Sequence, residues 1–199
     1  MRLAKLDGPG KFATFRRLMD VIFRRTGERR YAVDLVIGGK AAQVMDPAPG
    51  FDPHIPHDLV HYVVEAELAL AQGVFGRAAS GGGTFIATRG DSSSAREQAR
   101  QRRKQQRREA SLRTADETRG LEMHTSERLA GICDLAWRRR QGQRPDPARL
   151  PPTIALSNED AERVTRVVAR LDQLAPLWHQ LPVGGALAFT WPALEPTPR

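Results

Sequence analysis

In the stretch HIPHDLVHYVVEAEL, residues 54–68, three histidines, one aspartate and two glutamates stand in and just before an otherwise apolar run. His57 and His61 are four residues apart, so on a helix both imidazoles share one face and could hold one ion, as the two histidines of an H-E-x-x-H zinc site do. The match is partial. Asp58 occupies the place of the glutamate base and is one methylene shorter, which suits it less to holding an attacking water. Glu65 lies eight residues beyond His57, about 12 Å along a helix axis, too far for one zinc with bonds of about 2 Å to bridge. A closed site needs His54 from the preceding loop, or His124 or His179 from far along the chain.

The alternative is structural. Asp58 with His61 and His61 with Glu65 are helical i,i+3 and i,i+4 pairs, so the stripe Asp58, His61, Glu65 and Gln72 can be an ordinary hydrogen-bonded polar edge. A third reading is metal-free acid/base catalysis, whose mark would be a histidine with a perturbed pKa. The incomplete ligand set favours the polar edge over the metal site, and the metal site over metal-free catalysis.

The elements that must position these residues are legible from pattern. Pro56 suits a first helical position, Asp58 suits the first turn, and a helix from about Pro56 to Gln72 is expected to be buried on most sides. Before it, DPAPGFDPHIP has four prolines in eleven residues and must be a loop. RRYAVDLVI, Gly38-Gly39 and KAAQVM read as a hairpin with a primed turn. The segment FATFRRLMDVIFRR fits a helical stripe, yet DVIFRRTGERRYAV also reads as two strands around Thr26-Gly27; the turn-like DGPGK before it favours strands. Further on, LEMHTSERLAGICDLAWRRRQG is amphipathic, with Leu121, Leu129, Ile132, Cys133 and Ala136 towards one side and Gly142 as its stop. After the linker QRPDPARLPP, Ser157 caps a helix with the stripe Val164, Val167, Val168, Leu171 and Leu174, which Pro176 should end. GGALAFTWP reads as a last strand returning to the N-terminal sheet. The fold class expected is α+β, an N-terminal antiparallel sheet packed on two or three helices with a projecting basic helix.

Charge supplies the second functional signal. The 199 residues carry 31 basic and 23 acidic side chains, a net +8, and 27 of the basic residues are arginine. Between Arg96 and Arg108 seven basic residues face one acidic, in a run of strong helix formers that Ser94 and Glu97 would open as a capping box. Apart from Ala95 and Ala99 the run has nothing to bury, so an exposed helix or a flexible insertion is expected. Arg102, Arg103, Lys104, Arg107 and Arg108 are its binding candidates, for an acidic protein or a nucleic acid. No aromatic residue falls between Thr88 and Ala136, which disfavours base stacking on single strands. Trp137 beside Arg138, Arg139 and Arg140 could add a stacking contact, although core placement is commoner.

Other chemistry is excluded by what the sequence lacks: a Walker-type phosphate loop, a G-x-S-x-G elbow, and more than the one cysteine, Cys133, which sits in an apolar stripe. No run approaches the length of a membrane span and the N-terminus has no apolar signal region, so a soluble cytoplasmic protein without membrane attachment is expected. The segment HDLVHYVVEAELALAQGVFGRAASGG resembles a motif of uncharacterised bacterial proteins in which a β-rich N-terminus leads into an H-D-L-x-H-x-x-V-E helix and then G-x-x-G. That resemblance implies no activity and supports strands before residue 46. The organisation expected is residues 1–82 as β-rich region and histidine helix, 83–118 as basic insertion, and 119–199 as a helical region with a final strand, completing one domain with the first. The leading function is a non-enzymatic interaction or regulatory protein whose arginine-rich segment meets an acidic partner, with no cofactor. The alternative is a metal-dependent, hydrolase-like protein holding zinc or another divalent metal at His57, His61 and His54.

Overall fold

The computed structural model describes residues 18–49, 52–80, 86–87, 117–143 and 156–197. Among these, five strands form one antiparallel sheet: β1 (Met19–Gly27), β2 (Arg30–Ile37), β3 (Lys40–Met45), β4 (Ile86–Ala87) and β5 (Ala186–Thr190), in the order β4-β3-β2-β1-β5. Residues 19–25 are strand, the reading that the turn-like DGPGK favours. Gly38 and Gly39 both have positive φ, +60° and +75°, and make the tight primed turn between β2 and β3. β5 pairs with β1, so the end of the chain returns to the first strand. β4 has no counterpart among the sequence expectations, in which the glycine run before it is a connection only.

Among the described residues four helices accompany the sheet: α1 (His57–Glu67), α2 (Val74–Ala79), α3 (Glu117–Arg140) and α4 (Asn158–His179). The α+β class is as expected. Alternation along β1 and β2 puts Met19, Val21, Phe23, Tyr31, Val33 and Leu35 into the hydrophobic core. There they join Leu59, Val63 and Tyr62 of α1, Leu129 and Cys133 of α3, and Val167, Leu171 and Trp178 of α4. Tyr62 lies at the centre of an aromatic group with Phe23, Phe75, Phe189 and Trp191. α1 therefore sits with the sheet on one side and α3 and α4 on others, which is why so much of its surface is buried.

Three expectations about helices need correction. α1 ends at Glu67, five residues before Gln72, because Ala69 takes a left-handed conformation with φ 52°. Pro176 lies inside α4, which runs on to His179. The proline removes one helical N–H bond, and burial of Leu174, Ala175 and Trp178 around it offsets that loss. Leu121, expected on the apolar side of α3, is 66% exposed. Ser157 caps α4 as expected, accepting the Asp160 N–H at 3.1 Å. Among the described residues no helix is long and apolar enough to cross a membrane.

Candidate functional site

The polar stripe of α1 is not a solvent edge. His61 and Glu65 are buried, and each is joined to α3 through Ser126, itself buried. Ser126 Oγ donates to Glu65 Oε1 at 2.9 Å and stands 3.3 Å from His61 Nδ1. Glu65 also accepts the backbone N–H groups of Val74 (2.6 Å), Phe75 (2.8 Å) and Gly76 (3.4 Å), so its carboxylate closes the N-terminus of α2. This explains the early end of α1: the chain must reverse after Glu67 to bring residues 74–76 back onto Glu65, and the left-handed Ala69 makes the turn.

Donor and acceptor counting fixes the histidine. With the carboxylate ionised, the Ser126 proton goes to Glu65, and the Ser126 oxygen then accepts from His61 Nδ1–H. The lone pair of His61 is left on Nε2. It faces Nε2 of His57 at 3.2 Å, with the two rings edge to face. Burial, and then the neighbouring His57, pushes the His61 imidazole down to about 4, so it stays neutral. Glu127, next to Ser126 on α3, brings Oε2 to 3.7 Å from the same His61 nitrogen.

The other members are tied inward as well. Tyr31 from β2 donates its hydroxyl to Asp58 Oδ2 at 2.6 Å, and its oxygen lies 2.9 Å from the Pro49 carbonyl. Burial raises the Asp58 carboxyl above the usual aspartate range, against the pull of the Tyr31 hydroxyl. The Tyr62 hydroxyl donates to the Ala193 carbonyl at 2.6 Å. Asp52 accepts the His54 N–H at 2.8 Å and pairs with Arg138 of α3 at 2.9 Å, which fixes the loop leading into α1.

His54 is not brought to the pair: its ring lies beside that of His179, centroids 5.9 Å apart. His124 is exposed on α3. Among the described residues no three His, Cys, Asp or Glu side chains converge as a ready ligand set for a metal ion. Trp137 is 2% exposed and donates to Asp172 at 3.1 Å; Arg138 pairs with Asp134 and Asp52, and Arg140 with Asp172. That group is a core edge. Burial pushes the Cys133 thiol up to about 12, leaving it inert. Arg102, Arg103, Lys104, Arg107 and Arg108 lie outside the described residues, as does the Ser94–Glu97 capping box. Sequence reasoning missed Ser126, Glu127 and Tyr31. None of them lies near His57 or His61 in sequence, and a serine within a helix gives no sign of its partners.

His61 and Glu65 pull stability in opposite directions with pH. His61 is depressed from 6.5 to about 4, so the unfolded chain takes up its proton first, and stability is lost as pH falls from 6.5 towards 4. Burial pushes the Glu65 carboxyl from 4.5 up to about 7 against the N–H groups of Phe75 and Val74. The unfolded chain therefore loses that proton first, and stability falls as pH rises from 4.5 to 7. Over the shared window the two slopes oppose each other. His61→Asn, whose amide can still donate to Ser126, removes one of them. Its stability should fall with rising pH more steeply than wild type, by up to about 1.4 kcal/mol per pH unit. Urea unfolding at pH 4.5, 5.5 and 6.5 checks this, and parallel profiles would contradict it.

Comparison of the chain with protein-family models, with curated proteins and with solved structures finds no match to any of them.

Proposed function

We propose that this is a non-enzymatic interaction protein whose arginine-rich segment meets an acidic partner. The observation that carries the reading is the inward commitment of α1. Asp58 is engaged by Tyr31, Glu65 by Val74, Phe75 and Ser126, and His61 by Ser126. Those groups hold elements together, and a carboxylate already accepting three or four hydrogen bonds has little capacity left as a catalytic base. The strongest remaining chemistry is the charge of residues 96–108, seven basic against one acidic. In the chain it falls between β4, which ends at Ala87 on the sheet edge, and α3, which begins at Glu117. A basic segment joined at both ends to a packed scaffold suits attraction of a polyanion without base-specific contacts.

The test is fluorescence anisotropy of the full chain with a labelled poly-glutamate peptide and with a labelled DNA duplex, across a salt series. Binding to one of them should weaken steeply with salt. Replacing Arg102, Arg103, Lys104, Arg107 and Arg108 together by glutamine should flatten the salt slope on duplex by up to about 4.5, at about 0.9 for each phosphate no longer neutralised. Binding that ignores salt, or that survives the five replacements unchanged, sinks the reading.

A further inference from the structure

We propose that His57 and His61, with Glu127 as third ligand, form a site for one divalent transition metal ion of the zinc class where α1 meets α3. Three independent features carry it. The first is spacing: an ion bonded to both Nε2 atoms at about 2.0–2.1 Å subtends an angle of about 100° when they are 3.2 Å apart, close to tetrahedral. The second is orientation. His61 Nδ1 is engaged by Ser126, whose own proton goes to Glu65, so the His61 lone pair is on the nitrogen that faces His57, where it accepts from the His57 Nε2–H whose place an ion would take. A partner on the far ring nitrogen that fixes the tautomer is the usual support of a metal-binding histidine.

The third is the carboxylate. Glu127 Oε2 stands 3.7 Å from His61 Nε2 on a side chain 59% exposed, so turning it completes a set that two imidazoles begin. His57 is exposed, which leaves the fourth position open to water or to a donor atom from a partner. The ion would join α1 to α3 from the outside, as Ser126 joins them from the inside. His54 has no part in this set, in contrast to the sequence expectation.

Co²⁺ titration of the metal-free full chain at pH 8, read by the visible absorption of tetrahedral cobalt and followed by Zn²⁺ competition, tests the site. One equivalent should bind. His57→Ala, at an exposed position, should weaken binding by at least on the order of 100-fold, Glu127→Gln by about tenfold, and His124→Ala not at all. Thermal unfolding without metal should be the same for His57→Ala and wild type, which separates ligand loss from damage to the fold. A wild type that binds no Co²⁺, or His57→Ala that binds as wild type does, overturns the proposal. Unchanged affinity in Glu127→Gln overturns the three-ligand set.

Discussion

Glu65→Ala should destabilise the protein by about 3–5 kcal/mol, the largest effect of any single substitution in the polar network. The side chain is fully buried and accepts from Val74 N–H, Phe75 N–H and the Ser126 hydroxyl, with Gly76 N–H at longer range. Truncation removes the acceptor that those donors share, in a place where a lost buried hydrogen bond costs about 1–3 kcal/mol. It also turns the Ser126 proton loose, and with it the orientation of His61. Glu65→Gln separates the charge from the shape. Whichever way the amide is turned, its NH2 meets a backbone N–H, of Val74 on one side or Phe75 on the other. About 1–3 kcal/mol should be lost. Urea unfolding monitored by tryptophan fluorescence measures both, and a loss under about 1 kcal/mol for Glu65→Ala would show that α2 does not depend on this carboxylate.

Gly73→Ala should cost nearly as much, about 3 kcal/mol, and for a reason that backbone conformation does not supply. Gly73 has φ −70°, open to any residue. A Cβ there would instead fall inside contact distance of the Glu65 carboxylate carbon and both its oxygens. The carboxylate cannot retreat without releasing the N–H groups it holds. The clash and the hydrogen bonds are therefore one system, and a double mutant reports on it. In the Glu65→Ala background the same Gly73→Ala change meets an emptied site and should cost at least about 1 kcal/mol less than in wild type. Additive losses would contradict the geometry. Gly76 is held by a different neighbour, since a Cβ there would collide with the Ala71 and Leu70 carbonyls. The carboxylate and the two close approaches give physical content to the E then G-x-x-G part of the sequence pattern: the residues build a capped turn.

The features legible in the sequence are those set by local chemistry. Gly38-Gly39 forces a primed turn, Ser157 an N-cap, and the β-branched and aromatic residues of RRYAVDLVI a strand. The misreadings come from packing that local sequence does not show. α1 looks longer in sequence because Leu68, Ala69 and Leu70 continue its apolar run, and nothing local reveals that Glu65 must receive residues 74–76. Leu121 has the periodicity of a core position, yet it lies near the start of α3, where it stays exposed. Asp58, His61 and Glu65 are legible as one face of a helix, but not as the face that Ser126 and Tyr31 cover. Two of the three histidines in the HIPHDLVH stretch do come together. The third lies against His179, across a loop that Asp52 and Arg138 fix.

The claim on which both the interaction reading and the metal site rest is that α1 presents its acid and base groups inward as a fixed network, with His61 neutral and protonated on Nδ1. Long-range ¹H–¹⁵N correlation spectra of the histidine side chains measure this directly, with His61→Asn to assign the signals. At pH 8 His61 should show the shifts of the Nδ1–H tautomer, and at pH 5.5 it should still be neutral, as a group pushed down to about 4 requires. An Nε2–H tautomer at pH 8, or a titration midpoint near the ordinary 6.5, would contradict the account.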